Sequence, residues 1–424
     1  MIKAFFHKVK LIFSDKNLAK KIYFVLGAFV VFRLLAAIPI PGVDTFALKN
    51  FLDTNQFFGL LNMFSGGGLS GLSIVMLGVG PYITASIIMQ VLTMISPAMK
   101  SMHSEEGEYG KRKFYQYARI LTIPLAIIQG LSFILILQQR NILPDLSGFQ
   151  MATNLVVITA GAMLLMWLGE LVTEFGIGNG MSLIIFAGIV ASLPSSIQQI
   201  IFAYDPTMLP TYIAFAVVGL IIITGVVFIT EAERPVPVTH AKQAAGVSSQ
   251  MSKTTYIPLR LNMAGVIPII FALSVLMLPQ MIANLFVNST NAAVQSIASN
   301  ITSFLGNQLY YGILYFLLVF FLTYFYTSVT FDPEGMSKNL QKSGAFIPGV
   351  RPGESTAKHI GHILARITLV GGLFLGGIAV LPIVVQGLTG ITTLTIGGTS
   401  LLIAVSVAID LVKKIDSQVS MREY

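Results

Sequence analysis

The sequence predicts an all-α membrane protein with ten transmembrane helices, and both composition and segment length indicate this class. Its 424 residues are 54% hydrophobic and only 10% charged, with a mean hydropathy of +0.80, whereas soluble domains carry about 25% charged residues. Apolar segments recur at close to the ~20 residues that cross a bilayer as a helix. The predicted spans are 22–38, 73–95, 115–138, 153–172, 182–203, 209–230, 262–286, 308–330, 364–385 and 394–412.

Charge in the connecting loops predicts the orientation of these spans. Lys and Arg concentrate in the N-terminal segment, in the second, sixth and eighth loops and in the C-terminal tail, whereas the opposite side carries only Lys49 and Arg140. Because basic loops tend to remain in the cytoplasm, both termini are predicted to be cytoplasmic. The net charge of +8 is attributed to this loop bias rather than to a nucleic-acid partner.

The topology also predicts two halves, residues 1–204 and 205–424, with five spans each. The second half would begin after an odd number of crossings, so the halves would be inverted relative to one another, as in many transporters and channels. The larger loops, 231–261 and 331–363, would both lie on the cytoplasmic face. That placement indicates a docking surface there.

An apolar block that is interrupted by glycines precedes the second span. The run 57–64 is only about two helical turns long, far too short to cross a bilayer. Gly66, Gly67, Gly68 and Gly71 then make helix continuation costly, and the chain is apolar and uncharged from Ser73 to Ile95. The pattern predicts a re-entrant half-helix beside a cavity, because irregular backbone at membrane depth needs protein or water around it.

The predicted spans carry almost no charge at mid-membrane. Arg33, Glu170, Glu174 and Asp410 all lie near span ends, where snorkelling or helix-end contacts explain them. A proton-coupled or ion-coupled transporter would need an ionisable group deeper in the membrane. The sequence therefore argues against active transport.

No catalytic or metal-binding constellation is found in the sequence. His359 and His362 are three residues apart without a third ligand nearby, and zinc sites need at least three protein ligands. The GIGNG motif at 176–180 lacks the Lys-Ser/Thr of a phosphate loop, so a tight turn between spans four and five is predicted. The chain is predicted to be no enzyme and to use no cofactor or metal.

Composition singles out one cytoplasmic segment, KNLQKSGAFIPGVRPGESTAK at 338–358. It combines basic residues with Phe346, Ile347 and Pro348, and Arg351 lies between Val350 and Pro352. A solvated loop that only satisfies the charge rule would not need an apolar, proline-fixed tip. The segment is therefore predicted to bind a partner through that tip, with Arg351 as a docking side chain.

Several long motifs resemble the SecY/Sec61-alpha family, the central channel subunits of Sec protein translocases. They extend in order over essentially the whole chain: NMFSGGGLSGLSI, GVGPYITASIIMQ, EEGEYGKRKFYQYAR, MWLGELVTEFGIGNGMSLIIFAGIV, LRLNMAGVIPIIFA, KSGAFIPGVRPGESTAKHI and IGGTSLLIAV. The resemblance implies an hourglass pore between two five-helix halves, with 57–71 as a plug that blocks the outer vestibule at rest. The implied plug residues are Phe57, Phe58, Leu60, Leu61, Asn62, Met63, Phe64, Ser65, Gly66, Gly67 and Gly68.

The resemblance also assigns a constriction ring and a lateral gate. The implied ring is aliphatic, and a narrow apolar constriction excludes ions by dewetting; its members are Val79, Ile83, Ile185, Ile270 and Ile403. The implied gate between spans two and seven is closed by polar groups, which are worth about 1 kcal/mol or less across a helix interface; its members are Thr84, Ser86, Gln90, Thr93 and Asn262. Without the resemblance, ordinary helix packing would explain all these residues.

Partners and location are likewise implied by the resemblance. SecE would be an obligatory partner and SecG a peripheral one, in a bacterial cytoplasmic membrane whose lipids surround the complex. The SecA ATPase and the ribosome would dock at basic residues of the cytoplasmic loops, namely Arg351, Lys342, Lys358, Arg234 and Lys242. The loop at 231–261 departs from the family by carrying few charges, which weakens the expectation for that loop.

These observations predict a passive channel for unfolded secretory polypeptides. Signal sequences and transmembrane segments would leave it sideways into lipid. The alternative is a secondary transporter or channel for a small solute, which would need a polar or charged site at mid-membrane.

Overall fold

The computed structural model describes residues 15–40, 48, 62, 65–104, 106–140, 142–144, 146–202, 209–240, 255–287, 291–389 and 397–420. Most of these residues are helical. The helices are α1 (Lys16–Ala36), α2 (Gly80–Ile95), α3 (Pro97–Ser104), α4 (Gly107–Gln139), α5 (Gly148–Phe175), α6 (Gly180–Phe202), α7 (Leu209–Glu231), α8 (Ile267–Phe286), α9 (Ala292–Gly306), α10 (Gln308–Thr330), α11 (Pro333–Lys342), α12 (Glu354–Thr389) and α13 (Gly397–Ser420). The strands are β1 (Glu233–His240), β2 (Thr255–Arg260) and β3 (Ala345–Phe346).

Each of the ten predicted spans overlaps one of these helices. Within the described residues, five helical segments are long and apolar enough to cross a membrane: Gly107–Gln139, Gly148–Phe175, Ile267–Phe286, Gln308–Lys342 and Glu354–Val385. Three further apolar helical segments are shorter, Gly80–Ile95, Gly180–Pro194 and Ala216–Glu231. The structure therefore supports a polytopic helical membrane protein, and the count of ten crossings stays a prediction.

The predicted start of the second span, at Ser73, is wrong. Helix α2 begins at Gly80, and the chain from Ser65 to Val79 forms successive turns. Leu72 and Gly78 have left-handed φ angles of 39° and 58°, which a helix cannot contain. Ser73 instead forms a β-bridge with Pro39. Apolar composition predicted the burial of this segment correctly, but it could not report the backbone conformation.

The predicted seventh span also begins too early. Helix α8 starts at Ile267 with Pro268 in its first turn, a position that suits proline because the missing N–H has no helical partner. Gly265 just before it has φ +62°. Asn262, expected on the face of this span, consequently lies on the irregular segment that precedes the helix.

Packing between helices divides the membrane part into two groups that meet along two seams. In the first half α2 and α5 pack on α4, and α1 packs on α5 and α6; in the second half α10 packs on α8 and α12, and α13 packs on α7 and α12. Across the halves, α8 contacts both α2 and α4, and α13 contacts α6. We call these contacts the α2–α8 seam and the α6–α13 seam.

The largest hydrophobic cluster crosses both halves. It combines buried residues of α1, α2, α5 and α6 with buried residues of α7, α8, α10, α12 and α13. A second cluster joins the turns at 69–77 to α4 and α5. The centre of the molecule is therefore filled with aliphatic and aromatic side chains, while large apolar residues such as Leu220, Ile221 and Phe228 face outward.

The sequence interpretation missed a small antiparallel sheet in the loops that were predicted to be cytoplasmic. Its strand order is β2-β1-β3, with Glu233 opposite Arg260 and His240 opposite Ala345. β3 pairs only with Thr239 and His240, so Pro235 lies where that edge of β1 has no partner, a position that tolerates proline. The sheet joins loop 231–261 to loop 331–363.

The signal for this sheet was present in the sequence as an alternation of residues. Val236 and Val238 are buried while Pro235 and Pro237 are exposed, which is the period of two that a half-buried strand shows. The buried valines pack with Leu259, Ala345 and Ile347 and with the first turns of α12. The two loops therefore form one folded unit seated on α12.

Candidate functional site

The five residues of the implied constriction ring lie in the same buried cluster. Val79 caps α2 and Ile83 follows in its first turn, Ile185 is in α6, Ile270 is in α8 and Ile403 is in α13. All five belong to the largest hydrophobic cluster, with exposed fractions between 1% and 8%. Since three come from the first half and two from the second, the halves meet at an apolar centre.

The chemistry of this centre is that of a seal. Aliphatic side chains offer no hydrogen-bond donor or acceptor to an ion or a polar solute. A narrow apolar constriction therefore empties of water and blocks ions. The same side chains can move aside without a specific bond being broken.

The turns at 65–72 pack tightly rather than forming a loose hinge. Gly66 and Gly67 have φ angles of +67° and +80°, which glycine adopts at little cost. A Cβ on Gly66 would lie 2.4 Å from the Phe32 ring and 3.0 Å from the Cα of Gly188. The glycines thus allow the chain to approach α1 and α6 closely.

A charged residue of α1 holds this turn. Arg33 donates a hydrogen bond from Nη1 to the carbonyl oxygen of Gly66, at 2.7 Å. A charged donor makes a stronger hydrogen bond than a neutral one. Arg33 was predicted only to snorkel or to contact a helix end, so its contact with the glycine turn is a role that sequence reasoning missed. The sequence signal for this contact was that Arg33 is a lone charge near the end of an otherwise uncharged span.

Six of the eleven implied plug residues, together with most of the run 57–64, lie outside the described residues. The six are Phe57, Phe58, Leu60, Leu61, Met63 and Phe64. The others form a hydrogen-bonded turn: Asn62 accepts from the backbone N–H of Ser70 at 2.8 Å, and its carbonyl accepts from Gly67 at 2.8 Å. Ser65 is fully buried and its hydroxyl accepts from the N–H of Leu69. This end of the implied plug is therefore well tied to the chain that follows.

The implied gate residues of α2 do not all face α8. The Thr84 hydroxyl donates to the Gly80 carbonyl at 3.0 Å and receives a long contact of 3.5 Å from the Gln129 amide of α4. Thr93 donates to the carbonyl of Gln90 at 2.6 Å. Thr84 therefore contacts α4, a partner that the sequence did not predict.

Two gate residues have buried oxygens without a hydrogen bond. The Gln90 amide nitrogen reaches the Ser86 hydroxyl only at 3.5 Å, and the Gln90 Oε1 and Asn262 Oδ1 atoms have no partner. Asn262 lines a cavity of about 500 Å³ that also includes Arg260, Lys413 and Asp410. Ser182 of α6 and Ser406 of α13 line the same cavity, which places Asn262 beside the α6–α13 seam. Leaving a buried oxygen unpaired costs about 1–3 kcal/mol, so Gln90 weakens the packing around α2.

The apolar tip predicted at 346–348 is only partly available for docking. Ile347 is 3% exposed and packs with the sheet, and Phe346 pairs with β1. The prediction that these side chains form a docking tip is therefore wrong for Ile347. Ala345 of β3 and the following Ile347 instead pack into the hydrophobic cluster that holds the sheet together.

The basic residues of this surface remain accessible. Arg351, Lys342, Lys358 and Arg234 are all exposed, and Lys242 lies outside the described residues. The Arg351 carbonyl accepts from the Thr356 hydroxyl at 2.8 Å, which fixes its backbone at the start of α12. Lys358 pairs with Glu354 at 2.8 Å, one helical turn away, whereas no ion pair is recorded for Arg351 among the described residues. Arg351 therefore presents an available guanidinium.

Two of the four charged residues at the ends of the predicted spans form ion pairs. Glu170 accepts from Arg119 at 2.6 Å, and Asp410 pairs with Lys414 at 2.8 Å. The GIGNG motif is a turn between α5 and α6, in which Asn179 caps α6 through the backbone N–H of Met181 and Ser182. The predicted turn is confirmed, and the snorkelling predicted for the charged span ends stays a prediction. No cluster of three potential metal ligands occurs within the described residues.

A helical membrane protein whose two halves meet at an apolar centre is the class that this architecture defines. The SecY family model matches residues 73–412. The protein translocase subunit SecY of Streptomyces scabiei is 40% identical over 439 residues, which cover 97% of both chains. That of Mycobacterium tuberculosis is 40% identical over 445 residues, covering all of this chain and 99% of its own. The chain belongs to the SecY family of protein translocase subunits.

Solved structures show the same fold. One described as a protein conducting channel aligns with a TM-score of 0.66 at 17% identity, over 95% of this chain and 92% of its own. Canine Sec61 in a ribosome-channel complex aligns with a TM-score of 0.59 at 16% identity, with the same coverage. The resemblance drawn from the sequence motifs is confirmed.

Proposed function

We propose that the chain is the pore-forming subunit of a protein-conducting channel, in which unfolded secretory polypeptides cross between its two halves. The observation that carries this proposal is the buried aliphatic centre to which both halves contribute, Val79, Ile83 and Ile185 from one and Ile270 and Ile403 from the other. Family membership supplies the substrate class. The chain would act as a conduit and not as an enzyme.

The seal and its opening follow from the packing. At rest the five side chains exclude water and ions. A polypeptide that enters would displace them, and aliphatic contacts would re-form around it without binding any one sequence. The turn at 65–72, held by Arg33, would keep the implied plug beside this centre.

Lateral release would use the α2–α8 seam. Among the described residues, the polar side chains of α2 bond within their own helix, as at Gln90, or to α4, as at Thr84, and not to α8. Polar contacts between membrane helices are worth about 1 kcal/mol or less. An apolar signal sequence that packs on α2 and α8 could part these two helices and leave the pore sideways into lipid.

Two kinds of partner are proposed, membrane subunits and partners that bind on the face that carries the sheet. SecE would clamp the two halves, SecG would lie at the periphery, and the SecA ATPase or the ribosome would dock at Arg351 and the neighbouring basic residues. The complex would lie in the bacterial cytoplasmic membrane with both termini in the cytoplasm.

The pore assignment is tested by photocrosslinking a stalled secretory chain from probes at Ile83 and Ile270. Both positions should crosslink to the chain, and a probe at Ile120, which is 63% exposed on the outer surface of α4, should not. Equal crosslinking at Ile120, or none at Ile83 and Ile270, would contradict the pore. A small-solute transporter predicts no crosslink at any of the three positions.

The docking assignment is tested by charge reversal. Arg351→Glu should abolish ATPase-driven translocation because it removes an available guanidinium and adds repulsion, while assembly of the complex is unchanged. Arg140→Glu is the matched control, since it makes the same charge reversal at an exposed arginine that lies outside the docking loops. Translocation by Arg351→Glu at the rate of the control would refute docking at this residue.

A further inference from the structure

Helix α9 connects α8 to α10 and has an apolar face wider than the area that the protein covers. Positions advance about 100° per residue along a helix, so Ile297, Ile301 and Phe304 share one face, and Ala298 and Leu305 lie beside them. Ala298 and Leu305 are buried, at 3% and 8% exposed, whereas Ile297, Ile301 and Phe304 are 62%, 36% and 48% exposed. Half of the apolar face is therefore left uncovered.

This uncovered face continues into the outer surface of a spanning helix. The Phe304 ring stacks on Tyr310 of α10 with centroids 5.2 Å apart and planes 8° from parallel. Tyr310 is itself 49% exposed. Next to it on α10 is a row of exposed apolar side chains, namely Leu309, Ile313, Leu317 and Phe321. Because α10 belongs to a segment apolar enough to cross a membrane, acyl chains are the surroundings that suit this row.

The opposite face of α9 is polar without being charged. It carries Gln295, Ser296, Ser299, Asn300 and Ser303, and the helix AAVQSIASNITSFLG contains no Asp, Glu, Lys or Arg. Attraction to anionic headgroups therefore contributes nothing to its placement. Any affinity for a bilayer must come from the buried apolar area.

We propose that α9 lies flat in the headgroup layer of the bilayer, with Ile297, Ile301 and Phe304 inserted at the boundary with the acyl chains. The occupant of the uncovered face is lipid, because that face continues the exposed apolar row of α10. The helix packs on both α8 and α10. It therefore fixes the ends of these two helices at the depth of the membrane surface.

The chain contains no cysteine, so single cysteines on α9 can be labelled selectively. An environment-sensitive fluorophore is placed at Ile301→Cys and, as the matched control on the polar face, at Ser299→Cys. The assembled complex is reconstituted in phosphatidylcholine vesicles with or without phosphatidylglycerol. Quenching by shallow spin-labelled lipids is compared with quenching by aqueous iodide.

The label at Ile301→Cys should emit at shorter wavelength than the control and be quenched by the spin-labelled lipid, while the label at Ser299→Cys is quenched by iodide. Both results should be the same with and without the anionic lipid. Equal iodide quenching at the two positions would overturn the proposal, and so would protection of the Ile301→Cys label from both quenchers, since protein would then cover the face. If Ile301→Cys fails to assemble, Ile297→Cys on the same face serves instead.

Discussion

The two seams between the halves differ in the chemistry that closes them. At the α6–α13 seam the contributing side chains are aliphatic and almost fully buried, with Ile184, Ile185 and Ile403 each 1% exposed and Leu402 at 0%. At the α2–α8 seam, Gln90 of α2 leaves a buried oxygen unpaired, and the buried Ser274 hydroxyl of α8 donates only to the Ile270 carbonyl of its own helix. We therefore expect the first seam to resist separation more strongly than the second.

The reason lies in what each contact loses when it opens. Separating interlocked aliphatic side chains gives up close packing, which lipid chains replace only in part. The polar groups of α2 and α8 bond within their own helices or to α4 in the described residues, so separating these two helices breaks none of those bonds. A channel that opens sideways needs one firm seam and one weak seam, so that it opens on one side without falling apart.

Placing a charge in the firm seam should have the largest effect. Ile403→Asp buries a carboxylate among aliphatic residues, which costs about 3 kcal/mol or more in a membrane. We expect a large fall in the thermal unfolding midpoint of the complex in detergent. Ile403→Leu keeps the volume and should cost less than about 1.5 kcal/mol.

A carboxylate placed in the α2–α8 seam tests whether the two seams differ in stability. Gln90→Glu should lower the midpoint less than Ile403→Asp, because Gln90 already lies among polar groups. Equal losses for the two variants would show that the seams are equally firm.

Adding a methyl group to the glycine turn at 65–72 should lower the unfolding midpoint by an intermediate amount. This turn packs on α1 and α6, and α6 is part of the firm α6–α13 seam. Gly66→Ala and Gly67→Ala share the cost of a left-handed φ, about 1–2 kcal/mol. Only Gly66→Ala adds a clash with Phe32, for which overpacking suggests a further ~1–3 kcal/mol.

The two glycine variants are compared by two measurements, the ion conductance of resting vesicles and the unfolding midpoint of the complex. Gly66→Ala should leak ions more than Gly67→Ala, because the turn would be displaced from α1 and α6. Identical leak and identical midpoints in the two variants would mean that the close approach at Gly66 does not hold the seal.

Removing the unpaired polar group from the α2–α8 seam should change the unfolding midpoint least, and should raise it rather than lower it. Gln90→Leu removes the unpaired buried amide oxygen, so the closed seam should become more stable by about 1 kcal/mol. The unfolding midpoint should rise slightly and lateral release of a signal sequence should slow. Val91→Ala, on the exposed side of the same helix, is the control. A lower midpoint for Gln90→Leu would show that the amide has a partner in the membrane.

Sequence reasoning succeeded where apolar composition alone decides the outcome. The main helices and the turn at GIGNG were predicted, since length, glycine and hydrophobicity carry those signals. The five ring residues came from the family resemblance, and all five are buried. It failed at the start of α2, at Asn262 and at Ile347, where φ angles and strand pairing decide. The alternation in ERPVPVTH was readable, but its prolines suggested a loop.

By itself the sequence determined the class of protein and its family, because these depend on composition and on residue order. Only the tertiary structure decided which side chains meet. It brought Arg33 to the Gly66 carbonyl, Gln129 to Thr84 and β1 to β3, pairs separated by 33, 45 and about 100 residues. Contacts of that range depend on how helices and strands pack in three dimensions, and no local pattern specifies them.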